Sequence, residues 1–144
     1  MAKAIDPKIR AKACEEILAK VKGGMSLRAA CEGGDDWTPS EATFRSWCDS
    51  DTDLSAQYAS AREARAEVIF EQCLAIADSQ EGDVIKGPDG GEQINHDAIN
   101  RAKLRIDTRK WMLGKMQPKT YGDKQTVDLT GSFTVTISGD DADL

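Results

Sequence analysis

The sequence predicts a mainly α fold with an N-terminal helix-turn-helix, a central long helical hairpin and a C-terminal β-strand segment that forms an intersubunit barrel. Three observations carry this reading. Apolar residues within the first 50 positions recur at helical spacing in three short runs separated by Gly and Pro. Residues 52–79 and 96–116 are two long helical stretches flanking a Gly-rich connector. From residue 127 the hydrophobic period changes from 3.6 to 2. The expected divisions are residues 1–50, 51–123 and 124–144.

The first helix is expected over 8–22, with Ile9, Ala13, Cys14, Ile17, Leu18 and Val21 on one face. Pro7 suits its first turn, and Gly23-Gly24 stops it. Ser26 is a good N-cap for a second helix that carries Leu27, Ala30 and Cys31 and ends near Gly33-Gly34. A third begins at Ser40. Its Phe44, Trp47 and Cys48 share a face, while Ala42, Arg45, Ser46 and Asp49 take the opposite one. Three short helices with an aromatic-anchored third suit a helix-turn-helix, whose third helix enters a major groove. Arg45 is the one long donor on the outer face, suited to guanine O6 and N7. Ser40 can join backbone N–H groups at a phosphate. The candidate DNA-binding residues are Lys8, Lys12, Lys20, Lys22, Arg28, Ser40, Arg45 and Ser46. Glu41 and Asp49 oppose this role because they repel phosphate. A three-helix packing module without DNA contact is the alternative.

Residues 52–79 contain neither Gly nor Pro, and their C-terminal half is apolar nearly all round, which requires partners on more than one side. The 81–95 connector, with Gly87-Pro88-Asp89-Gly90-Gly91 between two short apolar runs, reads as a turn or small hairpin. In 96–116, Ile99, Ala102, Ile106 and Leu113 form one stripe, and Leu104, Thr108 and Trp111 another on the far side. Two seams imply two partners: the 52–79 helix and a neighbouring subunit. The candidate oligomerisation residues are Val68, Phe70, Leu74, Ile99, Leu104, Ile106, Trp111 and Leu113. Charge agrees with an antiparallel pair, since residues 51–80 carry net −4 and residues 96–124 net +5. Arg101, Arg105 and Arg109 line up between the seams and are accordingly expected to form salt bridges to the acidic helix, with nucleic-acid contact as the alternative. His96 reads as a solvated surface residue.

Past Pro118, which ends the helix, Val127, Leu129, Gly131, Phe133, Val135 and Ile137 fall on odd positions and polar residues on even ones. No earlier strand of matching length is available, so pairing between subunits is the economical way to remove the exposed edge. The acidic last residues are expected to be disordered.

Composition limits the remaining classes. The chain has 144 residues, is 31% charged and carries net −6, so bulk charge does not bind nucleic acid and a local basic face is required. No apolar run approaches a membrane span, and the start lacks an apolar export segment, so a cytosolic protein with reduced thiols is expected. Four cysteines spaced 17, 17 and 25 apart and a single histidine form no zinc pattern. A phosphate-binding-loop motif and a hydrolase constellation are also missing, so neither enzymatic activity nor a cofactor nor a metal is expected.

Three strings carry a resemblance: Tyr58-Ala-Ser-Ala-Arg-Glu-Ala-Arg-Ala-Glu67, Ala102-Lys-Leu-Arg-Ile-Asp-Thr-Arg-Lys-Trp111 and Pro118-Lys-Thr-Tyr-Gly-Asp-Lys124. In this order, after a helix-turn-helix and before a strand segment, the chain resembles the terminase small subunits of tailed double-stranded-DNA bacteriophages over residues 8–137. The resemblance implies a ring, with an octamer as the best guess. Such a ring recognises the packaging site on concatemeric viral DNA and recruits the large terminase subunit, which holds the ATPase and nuclease. It also implies that Phe133, Val135 and Ile137 belong to a crown that contacts the large subunit. The implied location is the host cytoplasm, with no place in the mature virion. A dimeric helix-turn-helix transcriptional regulator is the runner-up, and a scaffold ring without DNA binding a third reading.

Overall fold

A computed structural model describes residues 5–123. The expected strand over 124–137, its barrel and the candidates Phe133, Val135 and Ile137 lie outside the described residues.

The described chain is mainly helical, with one small antiparallel sheet. Helix α1 spans Pro7–Lys22, α2 Leu27–Glu32 and α3 Glu41–Ser50. Each starts on a side-chain cap. Asp6 accepts from the Lys8 amide, Ser26 from Ala29 and Ser40 from Thr43. Gly23 ends α1, and Gly24 turns the chain at φ 109°, a conformation that disfavours residues with a Cβ. Ala13, Cys14, Ile17, Leu18 and Val21 are buried as the periodicity requires. Ile9 is the exception and is exposed, because it falls at the edge of the buried face, while Arg10, nearer the centre of that face, packs on Trp47.

Helix α4, Thr52–Asp78, is shared by two cores. Its first half contributes Leu54 and Ala61 to a cluster with Ile17, Val21, Leu27 and Phe44. Phe44 is fully buried and meets the Tyr58 ring edge-on at 5.5 Å between centroids. The second half contributes Ala66 and Ile69, which pack with Leu113 of α5, His96–Met116. The connector is a hairpin of β1, Val84–Lys86, and β2, Glu92–Ile94, with Val84 opposite Ile94 and Lys86 opposite Glu92. After α5 comes a short helix α6, Pro118–Tyr121. It folds back on α4, where Tyr121 stacks on Phe70 at 5.7 Å and its hydroxyl donates to Glu67 Oε2 at 3.0 Å.

The arginine row does not make the expected salt bridges. Among the described residues all ion pairs are i,i+4 pairs within one helix, and none involves Arg101, Arg105 or Arg109. Arg109 donates instead to the neutral Gln72 side chain at 3.0 Å and to the Arg105 carbonyl at 3.2 Å. The physical reason is helical phase. Glu71 and Asp78 fall on the back of α4, away from the Ala66–Ile69–Ile76 stripe that is buried, while Glu63 and Glu67 stand beside the far, C-terminal end of α5 and α6.

Candidate nucleic-acid interface

Helices α2 and α3 and the loop between them form a groove of about 640 Å³ that gathers three of the sequence candidates, Arg28, Ser40 and Arg45. Local sequence explains the placement. Burial of Phe44 turns the other side of α3 outward, so Ala42, Arg45, Ser46 and Asp49 are exposed. Pro39 is buried and fixes the chain entering α3.

The groove is electrostatically mixed. Arg45 donates through Nε and Nη2 to Glu41 Oε1 at 3.1 and 2.7 Å. Arg28 donates to Glu32 Oε1 at 2.9 Å. Each guanidinium is held above its usual pKa first by the hydrogen bond to its glutamate, so both remain cationic. The Ser40 hydroxyl is occupied at the cap, where it meets the Thr43 amide at 3.2 Å and the Thr43 hydroxyl at 2.9 Å. A phosphate or base edge therefore competes with existing partners at all three residues.

The α1 lysines are spread around the helix rather than gathered in this groove. Lys8 and Lys22 are exposed and Lys20 half-exposed. Lys12 reaches Glu16 at 3.9 Å and lies 5.2 Å from the Trp37 ring. Arg10, which sequence reasoning passed over, stacks 4.8 Å over Trp47. No sequence signal pairs these residues, because the tryptophans come from other elements. Burial is the leading cause that pushes the Cys14, Cys31 and Cys48 thiols up, so they stay protonated and pack as small apolar groups.

The oligomerisation candidates divide into two sets. Leu113 is 3% exposed within the intrachain core and offers nothing to a neighbour. Val68 and Ile106 are half-buried; Val68 lies under the α1–α2 turn, 3.0 Å from where a Gly24 Cβ would stand. Phe70, Leu74 and Ile99 are exposed, as are Leu104 at 66% and Trp111 at 65%. Phe70 and Trp111 line one groove with Tyr121, whereas Ile99 lies on another side of α5 from Leu104 and Trp111.

Comparison with known proteins then decides the family. The family described as "Bacteriophage Sf6, terminase small subunit-like" matches residues 9–128, which takes in the three-helix module, the hairpin and α6. The chain belongs to this terminase small-subunit family. Three crystal structures of single-substitution variants of the terminase small subunit gp1 of the bacterial virus Sf6 agree, each at 32% sequence identity. One superposes with a TM-score of 0.59 over 90% of this chain and 94% of that chain. The second gives 0.59 over 94% and 95%, and the third 0.60 over 91% and 91%. No curated protein matches in sequence. Small terminase subunits are linked with genome packaging, which gives the groove and the exposed apolar residues a context. Among the described residues no His, Cys, Asp or Glu cluster could hold a metal, and no helix is long and apolar enough to cross a membrane.

Proposed function

We propose that this chain is a non-enzymatic, ring-forming packaging subunit that recognises a site on viral double-stranded DNA and recruits the large terminase subunit. In this reading α1–α3, within residues 1–50, act as a helix-turn-helix. Residues 51–123 build the ring, an octamer as the working number, through Phe70, Leu74, Ile99, Leu104 and Trp111. Residues 124–144 serve the large subunit through Phe133, Val135 and Ile137. The host cytoplasm is the place of action.

The observation that carries the DNA role is the α2–α3 groove, where Arg28, Ser40 and Arg45 converge on one outward face. One copy of this face is weak, since Glu32 and Glu41 already hold its two arginines. A ring presents many copies, and linked sites raise the effective concentration. Phosphate contacts release counterions, so affinity falls steeply with salt.

The test is a salt titration of packaging-site DNA against the full chain and a Lys20/Lys22/Arg28/Arg45 quadruple alanine variant. Weaker binding and a shallower salt slope in the variant are expected. Unchanged affinity would reject this face as the DNA contact.

A further inference from the structure

The arginine row of α5 faces a groove of about 580 Å³ between α4 and α5, lined also by Gln72, Ala75, Ile76 and Ser79. Glu81 and Asp83 stand at its loop end, yet among the described residues they make no ion pair with Arg101, Arg105 or Arg109. Three guanidiniums line one groove without an ion-pair partner, with the two acids confined to its loop end, so a cationic stripe remains along α5. The same chain carries its complement. On the back of α4, Glu71 and Asp78 are exposed with Leu74 between them, itself half-exposed and apolar.

We infer that the cationic groove of one subunit receives the Glu71–Leu74–Asp78 stripe of the next, making a head-to-tail interface between copies of this chain. This rests on the ring reading above.

Heights along the hairpin support the pairing. Arg109 bonds Gln72, so these two residues lie level in the antiparallel pair. Rotation about an axis along the hairpin preserves height, so a neighbour's Glu71 arrives at the level of Arg109. Asp78 lies seven residues further, about 10 Å along the helix at 1.5 Å per residue. That height falls between Arg101 and Arg105, which bracket it on the groove wall. The groove and the acidic stripe lie on different sides of the hairpin, so the contact is heterologous. A rotation that closes it gives a ring. Leu74 then buries apolar surface between two charge pairs. A nucleic acid is the other polyanion that the arginines could meet, but the matched acidic stripe on the same chain favours a second copy.

The test uses two full-length variants, an acid-reversed Asp78→Arg chain and a groove-reversed Arg101→Glu/Arg105→Glu chain. All three positions are exposed, and circular dichroism checks that helix content is kept. Native mass spectrometry should show each variant alone at least tenfold weaker in self-association than wild type. A 1:1 mixture should recover assembly, with equal numbers of the two chains in each ring, because every contact is then between opposite charges. Separate variants that assemble like wild type overturn the interface while leaving the ring reading intact. Failure of the mixture to assemble, or loss of DNA binding by a groove-reversed variant that remains a ring, also overturns it. A monomeric wild type overturns both readings.

Discussion

The Arg65 Nε–H donates to the carbonyl oxygen of Gly24 at 3.2 Å, joining residues 41 apart in sequence. This bond ties the α1–α2 turn to the middle of α4. Burial is the main cause that lowers the Arg65 guanidinium from its usual value, yet arginine stays charged, so the carbonyl receives a charge-assisted bond. Val68 packs beneath the same turn, and the left-handed Gly24 makes the close approach possible. The three-helix module is therefore fixed to the hairpin, and any load on one is passed to the other.

Arg65→Ala should remove about 1–2 kcal/mol of stability, after allowing for the partial exposure of the group. Gly24→Ala should cost a similar amount, about 1–2 kcal/mol, from the positive φ and the crowding on Val68. Hydrogen exchange at the turn amides of residues 23–26 is the local readout. Protection that stays at wild-type level in Arg65→Ala would show that the bond does not hold the turn.

Tyr121→Phe should destabilise the α6 contact by about 0.5–1.5 kcal/mol, the net worth of one hydrogen bond. The phenol is raised above its usual value first by desolvation and next by the bond to Glu67. Its folded value exceeds the unfolded one, so the protonated form is the stabilising one. The contribution is full below the unfolded value of about 10 and disappears as pH rises through the raised folded value. Spectroscopic titration at 295 nm should show a tyrosinate transition above pH 10 that Tyr121→Phe removes. An ordinary transition midpoint for Tyr121 would count against the contact.

Phe44→Ala should cost about 3–5 kcal/mol, because the ring is fully buried and both transfer and cavity terms apply. Tyr58 loses its edge-on partner at the same time. Denaturant unfolding should detect the loss, with the α4–α5 pair keeping more helix than the module. A change below 1 kcal/mol would mean that the core around Phe44 re-forms.

The helices were legible because their information is local. Ser26 and Ser40 act as caps, Gly23 closes α1, and the buried face of α1 follows its period with Ile9 as the one departure. The candidate groove was legible in part, since the alternate faces of α3 follow from Phe44 and Arg45. The arginine row was misread because net charge was compared between whole segments. Phase decides instead, and Glu71 and Asp78 stand on the wrong side of α4 for their own α5. The Arg65–Gly24 and Tyr121–Glu67 bonds span 41 and 54 residues and leave no trace in any local pattern. Glu41 was visible as an acid beside the reading face, but its effect on Arg45 emerges only from the bond they share.

That bond yields a prediction about DNA affinity, conditional on the proposed role of α3. For Arg45 to reach a base edge, its guanidinium must leave Glu41 Oε1, which it holds with two bonds. The pair is largely exposed, so releasing it costs about 0.2–1 kcal/mol. Glu41 also lies in the first turn of α3, where a phosphate would approach and be repelled. Glu41→Gln should therefore tighten DNA binding about two- to fivefold, as a gain of about 0.4–1 kcal/mol implies. It should lower stability by about 0.3–1 kcal/mol, since a carboxylate near a helix N-terminus is favourable. A double-variant cycle separates two causes. If release of Arg45 is the source, Glu41→Gln gives no gain in an Arg45→Ala background. If removal of repulsion is the source, the gain is the same in both backgrounds. No tightening in either background would show that α3 does not approach phosphate through this turn.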